Sequence, residues 1–145
     1  MNLLVIEDGH EYSEFVAVFF ADWQARRATS AGEALALLAA APVDAFLMDL
    51  RWTQGDEAAL TGDLDGTATR LFAGDRARAR HYLLDHQGTF ILAALRAAGH
   101  PQPALFINDL APRRLANLRT LYGDVRAVPR FDAAAMRAAL EAKTP

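Results

Sequence analysis

The chain begins with Met1-Asn-Leu-Leu-Val-Ile-Glu-Asp8, in which four consecutive apolar residues lead directly into two acids. A second apolar run, Val43-Asp-Ala-Phe-Leu-Met48, is followed at once by Asp49. Short runs of this kind are typical of strands that are buried on both faces of a parallel sheet. Ligands of such sheets bind beyond the carboxyl ends of the strands, so we expect the acids at a binding crevice.

The three acids that follow these two strands are Glu7, Asp8 and Asp49. Converging carboxylates repel one another unless a cation lies among them, and their hard oxygen atoms suit Mg²⁺. A divalent ion in such a cluster can neutralise the charge on a phosphoryl group while that group is transferred. The sequence therefore predicts a magnesium site at the three acids, with Asp49 as the candidate acceptor of a phosphoryl group.

Strand and helix patterns alternate along most of the chain. Ser30-Ala-Gly-Glu33 matches a capping box at a helix start, and Pro112 begins a helical pattern that Gly123 ends. Further strand patterns lie at residues 23–29, 103–107 and 125–128. Five β–α units of this kind predict an α/β fold in which helices cover both faces of a doubly wound parallel sheet.

The composition of the chain narrows the classes of protein to which it can belong. A length of 145 residues with 52% hydrophobic and 23% charged residues predicts one globular domain, residues 1–145. The net charge of −3 argues against a nucleic-acid partner, and the absence of cysteine excludes disulfides, zinc thiolate sites and a thiol nucleophile. No apolar run approaches the roughly 20 residues that cross a bilayer. The start of the sequence does not resemble a signal peptide, so we expect a cytoplasmic protein without membrane association.

The five units, the Glu7-Asp8 pair and Asp49 together resemble the receiver domains of response regulators. The resemblance covers the whole chain except residues 51–86. It implies a flavodoxin-like five-stranded sheet with strand order 2-1-3-4-5. It also implies that a histidine kinase or phosphotransfer protein phosphorylates Asp49. Glu7, Asp8, Asp49 and the backbone carbonyl of Arg51 would then hold Mg²⁺.

The resemblance fails at the ends of the last two strands. Receivers have Thr or Ser after the fourth strand, whereas this chain has Asn108, whose amide can still donate a hydrogen bond to a phosphoryl oxygen. The lysine that pairs with the phosphoryl group is replaced by Val128 or Pro129, depending on the alignment. The aromatic switch residue is replaced by Arg126 or Ala127. The sequence therefore predicts an atypical receiver with Asn108 as its phosphoryl contact.

The segment from about Arg51 to His86 is an insertion between the third strand and the third helix. Loops of this length usually carry a function or are partly folded. Its first half is polar and glycine-rich, which predicts a mobile stretch around residues 55–66, and an ordered helix is expected from about Asp75. Trp52 is expected near the acidic pocket. The segment could cover the pocket or contact a partner, or it could be structurally neutral.

Three functions compete at this point. The leading one is a stand-alone receiver in a bacterial phosphorelay. It would act by protein–protein contact on an unknown output protein or a second copy of itself, and it would not be an enzyme. The alternative is a phosphorylation-independent pseudo-receiver that uses the insertion as its recognition surface. The third is a small Mg²⁺-dependent phosphatase, because Asp63-Leu-Asp-Gly-Thr67 matches a phosphatase nucleophile motif. A turn is favoured there, since only a weak strand pattern precedes the motif.

Overall fold

A computed structural model describes residues 1–144. The strands are β1 (Asn2–Ile6), β2 (Gln24–Ala28), β3 (Ala45–Met48), β4 (Ala104–Ile107) and β5 (Val125–Val128). The helices are α1 (Glu11–Phe19), α2 (Ala31–Ala40), α3 (Leu64–Leu71), α4 (Arg76–Asp85), α5 (Gln87–Ala97), α6 (Pro112–Tyr122) and α7 (Ala133–Glu141). The strands form one parallel sheet in the order β2-β1-β3-β4-β5. This confirms the doubly wound α/β fold and the strand order expected from the sequence.

The sheet has one apolar core on each face, because successive strand residues point to opposite sides. Leu4, Ile6, Phe46, Met48 and Phe106 face one core, which α2, α5 and α6 cover. The other core lies under α1 and α7 and contains the alternate strand residues, which are Leu3, Val5, Ala45, Leu47, Leu105, Ile107 and Val128. β1, β3 and β4 are therefore buried on both faces, as their unbroken apolar sequences predict.

Local signals place the ends of the helices. The Ser30 hydroxyl accepts a hydrogen bond from the Glu33 N–H at 3.1 Å, as the capping box predicts. The Glu33 carboxylate, however, accepts from the N–H of Thr29 at 2.7 Å, one residue earlier than a standard box. Gly123 ends α6 with a φ of 75°, a conformation that side chains other than glycine rarely adopt.

The insertion is more ordered than the sequence suggested. A short 3₁₀ helix at Glu57–Ala59 and the first residues of α3 lie within residues 55–66, where a mobile stretch was expected. The Asp63 side chain caps α3 by accepting a hydrogen bond from the Gly66 N–H at 2.9 Å, and Ala68 of that helix is buried. The expected helix after Asp75 is confirmed as α4, with Asp75 as its N-cap.

A buried glutamine ties the insertion to the body of the domain. Gln87 is fully buried at the start of α5. Its Oε1 accepts a hydrogen bond from the Thr61 N–H at 2.7 Å, and its Nε2 donates to the Thr61 carbonyl at 3.0 Å. Losing Gln87 would leave these backbone groups without partners, so the insertion packs as part of the fold.

Among residues 1–144, no helix has the length and apolar character that a bilayer crossing requires.

Candidate functional site

Asp8 and Asp49 lie side by side at the carboxyl end of the sheet. Their strands β1 and β3 are neighbours with Ile6 opposite Met48, and the Asp49 N–H donates to the Ile6 carbonyl at 2.9 Å. Both carboxyl groups are half-buried. The first apolar runs of the sequence therefore bring these two acids together as predicted.

The proximity of the two acids changes the chemistry of Asp49. Its pKa is raised from 3.8 to about 7, first by burial, then by the negative charge of Asp8 and a hydrogen bond with it. Glu7 and Glu11 add smaller effects in the same direction. A carboxyl pair of this kind needs either a proton or a cation to be stable. The donor set fits Mg²⁺, which commonly binds proteins through one or two carboxylates and keeps its remaining positions for water and phosphate oxygens.

Glu7, the third predicted ligand, is used differently. Its side chain is fully buried and accepts hydrogen bonds from the N–H groups of Tyr12 at 3.0 Å and Ser13 at 2.8 Å. The Ser13 hydroxyl also donates to it, and Arg27 lies 3.7 Å away. Glu7 thus fixes the first turn of α1. In the part of the chain that the structure describes, no group of three or more acidic or histidine side chains is arranged to hold a metal ion.

The first residues of the insertion lie directly against the acid pair. Trp52 is 5% exposed, and its indole N–H donates to the Asp49 carbonyl at 3.2 Å. This confirms the expected position of Trp52 near the pocket. The Asp8 Oδ2 atom accepts hydrogen bonds from the N–H of Thr53 at 2.8 Å and the N–H of Gln54 at 3.2 Å. Arg51, whose carbonyl was predicted as a ligand, is exposed between Leu50 and Trp52.

A tyrosine from α1 completes the wall of the pocket. Tyr12 is buried, and its pKa is raised by burial and by the negative charges of Asp49 and Glu7. Its ring packs edge-to-face on Phe131, with the ring centroids 5.0 Å apart. Phe131 follows β5, so this contact joins the acid pocket to the loop after the last strand.

At the carboxyl ends of β4 and β5, the residues at the predicted phosphoryl-contact positions make few polar contacts. Met48 of β3 lies opposite Phe106 of β4, so Asn108 comes two residues beyond the level of Met48. The Asn108 Oδ1 is buried and has no hydrogen-bond partner in residues 1–144. Val128, at the lysine's place in one alignment, packs in the apolar core. Arg130 is exposed.

Arg126, at the place of the aromatic switch in one alignment, is held by hydrogen bonds to its neighbours. It donates twice to the Asp124 carboxylate, at 2.8 Å each, and also to the carbonyls of Ala139 and Ala142 at 2.5 and 2.8 Å. These contacts join β5 to the last turn of α7. A side chain held at four points is a poor candidate for a residue that changes conformation.

Three residues of the pocket were not identified from sequence. Tyr12 fitted the apolar stripe of α1, and its hydroxyl was the only sign of another role. Arg27 lies in the edge strand opposite Val5, which places its guanidinium beside Glu7 and lets it donate to the Gly9 carbonyl at 2.8 Å. Thr53 is 45 residues from Asp8 along the chain, so no local pattern could have paired them.

Asp63, the phosphatase candidate, caps α3 and is exposed.

Comparison with known proteins agrees with this geometry. No protein-family model matches the chain, and no curated protein matches it. Among solved structures, chemotaxis protein CheY4 of Vibrio cholerae matches with a TM-score of 0.62 and 13% identity, covering 97% of this chain and 95% of that one. The chain has the receiver-domain fold.

Two further structures extend the comparison. The receiver domain of NtrX from Brucella abortus has a TM-score of 0.61 and 17% identity, with 97% of this chain and 99% of that one covered. A two-component response regulator from Clostridium difficile has a TM-score of 0.61 and 11% identity, with 95% and 90% covered. At these identities the likeness concerns the fold. Within this fold, Asp8 and Asp49 follow the carboxyl ends of β1 and β3.

Proposed function

We propose that the protein is an atypical receiver that accepts a phosphoryl group on Asp49 with the help of Mg²⁺. The observation that carries this proposal is the Asp8–Asp49 pair at the carboxyl end of β1 and β3 in a receiver fold. Two adjacent half-buried carboxyl groups repel each other, although hydrogen bonds from the insertion hold one oxygen of Asp8. Their arrangement costs the protein free energy unless a cation or a proton neutralises it.

Each residue of the pocket has a defined part in the proposed transfer. An Asp49 carboxylate oxygen forms a new bond to phosphorus while the bond from phosphorus to the donor nitrogen or oxygen breaks, and the product is an acyl phosphate. Mg²⁺ bound by Asp8, Asp49 and the Arg51 carbonyl would supply the charge that neutralises the phosphoryl oxygens. The NH₂ group of the Asn108 amide can donate to one of them. Glu7 keeps α1 in place beside the acids.

A histidine kinase or a phosphotransfer protein is the natural donor for such an acceptor, and a small acyl phosphate can replace it in the test tube. We propose that the output is protein–protein contact with another protein or with a second copy of the chain, rather than turnover of a substrate. The exposed position of Asp63 at a helix cap supports this choice over a phosphatase, because a nucleophile needs a pocket around it.

Acyl phosphate formation is the decisive experiment. The protein is incubated with Mg²⁺ and acetyl phosphate, and the intact mass is measured before and after. We expect one added phosphoryl group in wild type and in Asp63→Asn, and none in Asp49→Asn. An unmodified wild-type mass, under conditions that label a known receiver in parallel, would reject Asp49 as an acceptor.

One observation favours a second candidate function, the phosphorylation-independent pseudo-receiver. The contacts that read a phosphoryl group in receivers are absent, since Val128 is in the core and Arg126 is bonded to Asp124. In that case the insertion would be the recognition surface. The mass experiment separates the two functions directly, because a pseudo-receiver stays unmodified.

A further inference from the structure

The first residues of the insertion make direct contact with the acid pair. Asp8 Oδ2 accepts three hydrogen bonds: from the Thr53 N–H at 2.8 Å, the Thr53 hydroxyl at 3.2 Å and the Gln54 N–H at 3.2 Å. All three donors reach the same oxygen atom. Within residues 1–144, the insertion's donors leave the other oxygen, Oδ1, facing away from their hydrogen bonds. One oxygen of Asp8 is therefore fixed and the other is available.

The donors themselves are held in place from two sides. The Trp52 N–H donates to the Leu84 carbonyl of α4 at 2.8 Å, and its indole N–H donates to the Asp49 carbonyl. On the other side, the Arg80 guanidinium donates to the Gly55 carbonyl at 3.0 Å. Thr53 and Gln54 therefore lie between two anchored residues. Their hydrogen bonds to Asp8 cost little additional ordering, although both side chains are exposed.

A carboxylate that binds a metal through one oxygen is usually oriented by hydrogen bonds to the other. We infer that Thr53 and Gln54 are positioning residues that hold Asp8 for Mg²⁺, and that metal binding and the order of the insertion are coupled through this contact. The inference rests on the proposed magnesium site and deepens it, because it gives the insertion a part in regulating that site. Coupling of this kind is reciprocal. If Thr53 and Gln54 favour the metal, the metal also stabilises their hydrogen bonds.

The opposite effect has a different signature. If the three donors withdrew Asp8 from the metal, their loss would strengthen Mg²⁺ binding. The geometry argues against this, because the donors leave Oδ1 uncovered and share a single atom. An unsupported Asp8 could also turn toward solvent, away from the Asp49 carboxylate that repels it.

Isothermal titration with MgCl₂ tests the first half of the coupling. Thr53→Val removes the hydroxyl and keeps the side-chain shape, while Thr61→Val makes the same change elsewhere in the insertion, where only the backbone bonds to Gln87. We expect Thr53→Val to weaken Mg²⁺ binding by about tenfold, the lower end of the range for outer-shell partners. Thr61→Val should bind like wild type.

Hydrogen exchange of the unaltered protein tests the second half. Added Mg²⁺ should slow exchange of the Thr53 and Gln54 amides several-fold and leave the Thr61 amide unchanged, because that amide donates to Gln87 away from the acids. In Asp8→Asn, Mg²⁺ should slow neither.

The outcomes separate the inference from the function on which it rests. Wild-type protein that binds no Mg²⁺ in an Asp8-dependent way would overturn the magnesium site, and the inference with it. Normal Mg²⁺ binding by wild type combined with equal or tighter binding by Thr53→Val, and no protection of the two amides, would overturn the inference alone.

Discussion

The carboxyl edge of the sheet has two halves that are built in different ways. At β1 and β3, charged groups are crowded together: Glu7 accepts hydrogen bonds from α1 and lies beside Arg27 of the edge strand, and Asp8 accepts hydrogen bonds from the insertion. At β4 and β5, the buried oxygen of Asn108 has no partner within residues 1–144, Val128 lies in the core and Arg126 is hydrogen-bonded to Asp124. In the proposed function the first half would accept the phosphoryl group, and in the second half Val128 and Arg126 are not placed to sense it. Acceptance and readout would then depend on different strands.

The largest expected difference between the halves concerns stability. Glu7→Ala would leave the N–H groups of Tyr12 and Ser13 without their acceptor and would remove the negative charge 3.7 Å from Arg27, at a cost of about 3 kcal/mol. Asn108→Ala should cost less than about 1 kcal/mol, because its oxygen already lacks a partner. Urea denaturation at neutral pH measures both. Equal losses would mean that the two halves are supported alike.

The second prediction concerns pH. In the unfolded chain Asp49 ionises near 3.8, whereas in the folded protein its pKa is about 7. Below pH 3.8 both states are protonated and Asp49 imposes no penalty. Between pH 3.8 and about 7 the unfolded chain has lost the Asp49 proton and the folded protein still holds it, so wild type loses stability across this window, and the loss is complete above pH 7.

Asp49→Asn removes this loss. Without divalent metal at pH 8, the variant should be more stable than wild type by on the order of 2 kcal/mol, less than the full linkage value because the carboxyl is partly solvated. At pH 4 the two proteins should be nearly equal. Denaturation curves with a chelator present give the comparison, with Asp109→Asn as an exposed-acid control from the other half. A pH-independent difference would show that Asp49 is not destabilised by its neighbours.

The third prediction concerns the change in melting temperature that Mg²⁺ causes. A ligand present at tenfold its dissociation constant stabilises the native state by about 1.4 kcal/mol. Millimolar Mg²⁺ should therefore raise the melting temperature of wild type, and the increment should shrink in Asp8→Asn and persist in Asp109→Asn. Identical increments in all three proteins would remove Asp8 from the metal site.

The smallest expected effect is the response of the β4–β5 half of the carboxyl edge to a phosphoryl mimic. Beryllofluoride, a phosphoryl mimic, can shift a conformational equilibrium only through contacts that differ between the two states. Because Val128 provides no charge and Arg126 is fixed by Asp124 and α7, we expect little change in the amide NMR signals of residues 111–131. Signals near Asp49 and Trp52 should move and serve as the internal control. Large shifts across α6 and β5 would show that the readout survives by another route.

The sequence predicted the sheet well because its signals are local. Runs such as Leu3–Ile6 mark buried strands without reference to the rest of the chain, and Ser30 and Asp75 mark helix starts through short-range hydrogen bonds. The pairing of Asp8 with Asp49 followed from the known behaviour of parallel strand ends. These inferences needed only the hydrophobic periodicity, the composition and the general topology of parallel sheets.

The sequence was less informative about contacts that join distant segments. The position of Glu7 beside two other acids suggested a metal ligand, but the start of α1 and Arg27 of β2 take up its oxygens. The polar first half of the insertion suggested mobility around residues 55–66, yet the Thr61 backbone is hydrogen-bonded to the buried side chain of Gln87. In both cases the deciding partner is remote in sequence, so no window of neighbouring residues contains it.

Trp52 gives the protein a built-in optical probe. Its indole ring is buried and bonded to the main chain of the acid that would be phosphorylated, whereas the other tryptophan, Trp23, stacks on Phe20 beneath α1. Emission from Trp52 should therefore respond to a change at Asp49, while emission from Trp23 provides a steady background that Trp23→Phe removes. Stopped-flow fluorescence could then follow occupancy of the pocket in real time without any attached dye.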